Sequence, residues 1–204
     1  MARVPSTGLL GVLERARRLG VLGPGPVDEH VVHAERFIDA LEDFPAGSVV
    51  VDLGSGAGVP GLVVADRCRD LRLALLESLE RRAALLDEAV AELGWQDRVT
   101  VLHARAEEVG RDTEWRGRAD AVLARSFGPP ATTAECAAPL LRVGGRLVVS
   151  EPPDGSDRWP AEGLAALGMA PAVAGAGVSL IAQAEPCPEG FPRRVGLPAK
   201  RPLF

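Results

Sequence analysis

Apolar positions recur at helical spacing near the start of the chain and in short unbroken runs from residue 48 onward. Ser6 or Thr7 can cap a first helix over residues 6–20, with Leu9, Leu13, Ala16 and Leu19 on one face. The run Gly23-Pro24-Gly25-Pro26 breaks it, and a second helix follows over 28–42, with Val31, Ala34, Ile38 and Leu41 inward. From Ser48 to Leu53 a β-branched run ends in a glycine-rich turn, followed by a helix over 60–68. Leu71 to Glu77 reads as a strand and Leu79 to Leu93 as a helix, with Ala83, Leu86, Val90 and Leu93 on one side. Further strands are expected at Val99 to His103, Ala119 to Ala124 and Gly145 to Val149, with a helix over 130–141. A helix at 158–167 and weaker strands near 171–174 and 178–184 complete the pattern, and Pro186 to Phe204 reads as irregular.

Strand and helix alternate, and the strands are apolar on both faces. Strands of that kind are buried on both sides, as in a parallel sheet covered by helices. The expected fold class is α/β: a Rossmann-like, doubly wound, mostly parallel seven-stranded sheet with short N-terminal helices. At 204 residues the chain suits one domain. It is read as a helical cap over 1–46, a core over 48–185 and a basic Pro- and Gly-rich tail over 186–204.

Composition narrows the picture. Only 4% of residues are aromatic and none is Tyr, so the core must be aliphatic. A formal net charge of −5 argues against a protein that coats nucleic acid non-specifically, though it allows a local basic cleft. Cys68, Cys136 and Cys187 are scattered and odd in number, as expected of reduced thiols. No run of ~20 apolar residues suggests a membrane span, and charges interrupt the apolar stretch at the N-terminus, unlike a signal peptide. A cytoplasmic location and a monomer are the expectations.

The segment Asp52-Leu53-Gly54-Ser55-Gly56-Ala57-Gly58-Val59-Pro60-Gly61 lies between a predicted strand and a predicted helix. Glycines permit the sharp turn and leave backbone amides open to a ligand. Such a run alone is also compatible with a plain strand-helix turn. Asp52, ahead of the glycines, would repel a phosphate and suits a ligand with an ammonium group. Glu77, at the end of the second strand, can accept hydrogen bonds from ribose hydroxyls, or can serve as an ordinary helix N-terminal carboxylate. An acid before the glycines and an acid at the next strand's end fit the class I methyltransferase pattern, with S-adenosylmethionine as cofactor. Asp52, Gly54, Gly56, Gly58, Val59 and Glu77 are therefore candidate cofactor contacts.

The stretch Gly54-Ser55-Gly56-Ala57-Gly58-Val59-Pro60-Gly61 resembles the turn of the bacterial small-subunit ribosomal RNA methyltransferases that make 7-methylguanosine, the glucose-inhibited division protein B family. Leu76 to Arg82, Arg105-Ala106-Glu107-Glu108, Ala124-Arg125-Ser126-Phe127 and the tail Phe191 to Leu203 match that family in order and spacing. The resemblance implies that Gly54 and Val59 lie at the methionine side of the cofactor. It implies that Ala106 and Glu107 lie at the adenine and that Arg125 lies where cofactor and substrate meet. From the residues alone, Ala106-Glu107 can equally begin a helical turn, and Arg125 can be a strand-end surface charge. Two departures bear on the RNA substrate. The family usually ends its fifth strand in Lys-Gly, whereas here it reads Ser150-Glu151-Pro152-Pro153, an anion in place of a cation. The family also carries a longer helical N-terminus with a Trp-Asn stretch and a His, near whose position Arg36 stands here.

Methylation of guanine nitrogen 7 uses a free lone pair with no proton to lose, so no general base and no catalytic side chain is expected; alignment does the work. Arg125 is a candidate for positioning. Phe127 can stack on a base or plug the domain edge. Arg193, Arg194, Lys200 and Arg201 are candidate phosphate contacts, which Arg15, Arg17 and Arg18 could join. His30 and His33 stand three apart on a helix with no third ligand nearby, so no metal is expected. The resemblance implies small-subunit ribosomal RNA as partner. Two alternatives stay open: a relative acting on a small molecule or another acceptor, and a cofactor-binding module without catalysis.

Overall fold

The structure is a computed structural model that describes residues 5–152 and 158–204. Seven strands form a mostly parallel sheet. The chain divides into two compact units, Met1–Ala104 and Arg105–Phe204.

The first unit holds α1 (Thr7–Arg18), α2 (Val27–Asp39), β1 (Val49–Leu53), α3 (Gly61–Arg67), β2 (Arg72–Glu77), α4 (Glu80–Leu93) and β3 (Val99–His103). β1 and β2 pair in parallel, Val49 opposite Arg72 through Leu53 opposite Leu76, and β3 pairs in parallel with β2. From Val50 to Leu53 and from Leu73 to Glu77 every residue is buried, as expected of strands covered on both faces. β3 departs from that rule. It lies at the sheet edge, and only Val99 of its five residues is buried, because no further strand among the described residues flanks it. Ser6 caps α1 by accepting the Leu9 N–H at 3.3 Å. The buried face of α1 is Leu9, Val12, Leu13 and Ala16, and Leu19 is 43% exposed. Val12 takes the place on that face expected of Leu19, because α1 ends at Arg18 and Leu19 is its C-cap, one residue past the last helical position.

The second unit holds α5 (Ala106–Val109), β4 (Ala119–Ala124), α6 (Pro130–Ala137), β5 (Leu141–Ser150), α7 (Ala161–Ala165), β6 (Val173–Ala174), β7 (Val178–Ala182) and α8 (Leu197–Lys200). β4 and β5 are parallel, and β7 runs antiparallel to both β5 and β6. The helix expected over 130–141 ends four residues early. The N–H groups of Arg118 and Ala119 both donate to Leu140 O, at 3.0 and 2.8 Å, so strand pairing captures the end of the segment. At Gly145 a Cβ would lie 2.8 Å from Asp120 O, so only glycine lets β5 pass. Among the described residues, no helix is long and apolar enough to cross a membrane.

Candidate functional site

In the first unit, the glycine turn is pinned to β2 on its inner side. The N–H groups of Gly54 and Ser55 donate to Leu76 O at 2.9 and 3.0 Å, and Ser55 Oγ donates to Asp52 O at 2.9 Å. Gly54, Gly56 and Gly58 have φ of +73°, +56° and +90°. Gly58 is stricter than Gly56, since a Cβ there would overlap Leu62.

Two buried carboxylates organise this turn. Asp52 is 1% exposed, and its Oδ2 accepts the Gly61 N–H at 3.0 Å, where α3 begins. Glu77 is 4% exposed; Oε2 accepts the Gly56 N–H at 3.0 Å and Oε1 accepts the Leu79 N–H at 2.8 Å. An ionised carboxylate offers about four acceptor positions. Glu77 thus ties the turn to the head of α4 and keeps acceptor capacity for two more donors. Among the described residues no cation forms an ion pair with it. A buried anion with open acceptor positions and no counter-charge suits a neutral, donor-bearing ligand such as a ribose diol. A small, mostly apolar recess of about 20 Å³ beside Gly56 and Ala57 is lined by side chains of α1 and α4, among them Val12, Arg15, Leu86 and Ala89. It holds no carboxylate, so the polar chemistry of the turn rests with Asp52 and Glu77.

In the second unit, Ala106 and Glu107 open α5, and both are buried. Glu108 Oε2 accepts the Arg105 N–H at 3.0 Å, closing the start of the helix. Glu107 Oε1 accepts the Gly196 N–H at 2.8 Å, and Arg105 Nε lies 3.8 Å from Glu107 Oε2. Arg125 and Phe127, after β4, are both half-buried. Between them Ser126 has φ +56°, and among the described residues it alone takes a positive φ without being glycine. Backbone of that kind is strained and tends to occur where a side chain must be aimed.

The basic candidates separate into two groups. Arg193 is held by Glu135, whose side chain is fully buried. Its Nε and Nη2 donate to the two carboxylate oxygens at 2.8 and 2.6 Å, and its backbone N–H adds a third bond at 2.9 Å. Its bond to Glu135 also raises the Arg193 pKa. Arg193 is therefore committed to the interior of its unit, whereas Arg194, Lys200 and Arg201 are exposed. In the first unit Arg15 pairs with Glu92 at 2.7 Å and Arg17 with Glu14 at 2.6 Å. Glu151, the anion that departs from the family pattern, accepts from Arg158 Nη1 at 3.1 Å and from Trp159 Nε1. Its charge is matched locally, which weakens its force as an obstacle to a polyanion. His30 Nε2 lies 3.1 Å from Gly23 O, and no group of three potential metal ligands occurs among the described residues.

Sequence reading missed Glu135, Arg111 and Arg116, which hold the tail. Arg116 donates to the carbonyls of Gly110, Cys187, Pro188 and Phe191, and Arg111 donates to Pro192 O. The absence of any acid from Gly190 to Phe204, beside four cations, was the one signal that these residues need partners elsewhere.

A model of the GidB family, rRNA small subunit methyltransferase G, matches residues 27–152. The chain belongs to that family. A ribosomal RNA small subunit methyltransferase G of Roseiflexus sp. is 39% identical over 191 residues, covering 86% of this chain and 81% of the relative. Its counterpart in Moorella thermoacetica is 35% identical over 192 residues, covering 86% and 77%. Among solved structures, a Corynebacterium glutamicum protein is similar with a TM-score of 0.58 at 19% identity, over 90% of this chain and 93% of that one. Pyrococcus horikoshii TYW2 in complex with MeSAdo is similar with a TM-score of 0.54 at 18% identity, over 78% and 61%. These two likenesses concern the fold, which is that of the class I methyltransferases. As a GidB-family member the chain is an S-adenosylmethionine-dependent methyltransferase.

Proposed function

We propose that this GidB-family chain methylates nitrogen 7 of a guanine in small-subunit ribosomal RNA, in the cytoplasm. The observation that carries the cofactor side is Glu77, a buried carboxylate that holds the glycine turn and still has acceptor positions for two hydroxyls. When bound, S-adenosylmethionine supplies a methyl group on a sulfonium. Gly54 to Val59 would line its methionine end, with Asp52 as a buried anion for the ammonium, and Glu77 would hold the ribose. Ala106 and Glu107 would face the adenine by the family pattern, and Arg125 would steady the reacting end. Guanine nitrogen 7 has no proton to lose, so these residues need only align the groups; such positioning can account for ~7–11 kcal/mol of barrier.

On the RNA side, Phe127 follows a strained Ser126 and could stack on an unpaired base, a contact worth roughly 1–3 kcal/mol. Arg194, Lys200 and Arg201 are exposed and would neutralise phosphates. The pairing of Glu151 with Arg158 and Trp159 favours RNA over the small-molecule alternative. Incubating the protein with labelled S-adenosylmethionine and ribosomal particles from cells lacking the modification, then analysing nucleosides, tests the reading. Labelled 7-methylguanosine is the expected product. Uptake of cofactor with every ribosomal RNA left unmodified would overturn the assignment of substrate.

A further inference from the structure

We propose that residues 187–196 form a brace that positions α5 for the adenine end of the cofactor. This rests on the reading of Ala106 and Glu107 as the adenine side. α5 has four residues, a single turn, and an isolated helix of that length does not hold its own geometry in water. Its position must come from tertiary contacts, and the tail supplies them.

Arg116 makes the central link. Its Nη1 donates both to Gly110 O, at the C-cap of α5, at 2.9 Å and to Phe191 O at 2.7 Å. Its Nη2 donates to Cys187 O and Pro188 O at 2.9 and 3.0 Å. One rigid guanidinium fork thus joins the end of α5 to three tail carbonyls. At the other end of α5, the tail's Gly196 N–H donates to Glu107. Between the two, Pro192 is buried and abuts Gly110, where a Cβ would come within 3.1 Å of Pro192 Cγ. The tail therefore grips both ends of one helical turn. Its inner surface is occupied with α5, and the cations left outside are Arg194, Lys200 and Arg201.

The brace makes a prediction that a tail serving only RNA does not: the tail's anchors govern cofactor affinity and base selectivity. The probes are S-adenosylhomocysteine and S-inosylhomocysteine, which differ only at the purine edge, titrated calorimetrically into the full chain. Arg116→Lys keeps the charge and loses the fork. It is expected to weaken S-adenosylhomocysteine binding about tenfold, to shrink the preference for the adenosyl form, and to raise the KM for S-adenosylmethionine more than it lowers kcat. Glu107→Ala is expected to act the same way, and Glu107→Gln, which keeps an acceptor for the Gly196 N–H, is expected to restore most of the affinity. If wild type binds S-adenosylhomocysteine and both Arg116→Lys and Glu107→Ala match its affinity and selectivity, the brace is overturned alone. Should Arg116→Lys fail to fold, Arg111→Ala decides the matter: it cuts the tail's bond at Pro192 O and touches no group assigned to the cofactor, so wild-type affinity and selectivity in it would overturn the brace. A wild type that binds neither nucleoside overturns the functional reading and the adenine role of the brace together.

Discussion

The glycine turn of the first unit and the tail of the second solve the same problem with opposite economies of charge. Both are irregular backbone held by buried carboxylates. In the turn, Glu77 accepts two backbone N–H groups and meets no cation among the described residues, so acceptor capacity remains for a ligand. In the tail, Glu135 accepts three bonds from Arg193 alone and is neutralised. The first arrangement leaves chemistry open and the second closes it. Burial of an acid therefore does not by itself mark a binding group; what matters is whether its acceptors and its charge are already matched.

The largest expected effect breaks the closed carboxylate. Glu135→Ala leaves the Arg193 guanidinium without its counter-charge and its backbone N–H without an acceptor. Removal of one partner from a buried pair costs on the order of 3–5 kcal/mol. Because Arg193 is 23% exposed, water can reach the guanidinium, which favours the lower end of that range. The urea midpoint reads the loss directly. A change below about 1 kcal/mol would mean that the pair is no stronger than an exposed ion pair.

The open carboxylate should fail differently. Glu77→Ala removes acceptors for the ribose as well as for the turn, and bonds to a charged acceptor contribute about 1.5–3 kcal/mol each. The affinity for S-adenosylhomocysteine should fall by about 100-fold, or ~2.7 kcal/mol. Glu77→Gln should fall between, since an amide oxygen accepts but carries no charge. If Glu77→Ala lowers the melting temperature while leaving affinity intact, the carboxylate belongs to the fold, as Glu135 does.

The two carboxylates also differ in how far the sequence betrays them. β2 carries the unbroken apolar run Leu73-Ala74-Leu75-Leu76, and Glu77 stands at its end, 21 residues from the Gly56 amide that it accepts. Periodicity and a glycine turn suffice to single it out as a candidate. Glu135 sits in Ala131-Thr132-Thr133-Ala134-Glu135-Cys136, a mixed string with the look of an exposed helix. Yet Thr133, Glu135 and Cys136 are all buried, because the tail returns over them. Its partner is 58 residues away, and the Gly196 partner of Glu107 is 89 away. Local pattern carries no information about a contact that only chain return creates. The same limit explains the end of α6, where pairing with residues 118–119 overrides a helical pattern. Asp52 stands out as a candidate by its place before the glycines, and the structure adds its bond to Gly61, which no local pattern announces.

A smaller effect separates the outer cations from the inner one. Replacing Arg194, Lys200 and Arg201 together by Ala should weaken RNA binding and reduce the slope of log affinity against log salt by roughly 2, at ~0.7 per phosphate contact on a single strand. Arg193→Lys should leave that slope unchanged, since Arg193 faces Glu135. An unaltered slope in the triple variant would remove the tail from the RNA interface while leaving its contacts to α5 in place.

The smallest effect concerns the alkaline edge of stability, and it tests whether the tail is packed as tightly as its hydrogen bonds imply. Burial pushes the Cys187 thiol up from 9.0 to about 11, against the opposing pull of Arg116. Below pH 9 the thiol is protonated in both folded and unfolded chains, and its contribution to stability is fully present. Between pH 9 and 11 the unfolded chain gives up the proton while the folded chain holds it, so the unfolded state binds fewer protons and stability falls. Above 11 both states are ionised and the slope vanishes. One proton limits the slope to about 1.4 kcal/mol per pH unit. Cys136, more deeply buried and facing Glu107 and Glu135, is raised further, so it adds nothing to distinguish variants in this window beyond what both share. Urea midpoints at pH 8, 9.5 and 11 for wild type and Cys187→Ser isolate the term: the two should coincide in shape below pH 9 and diverge above it. Parallel curves through pH 11 would show a thiol already in water, and a tail that its hydrogen bonds do not keep closed.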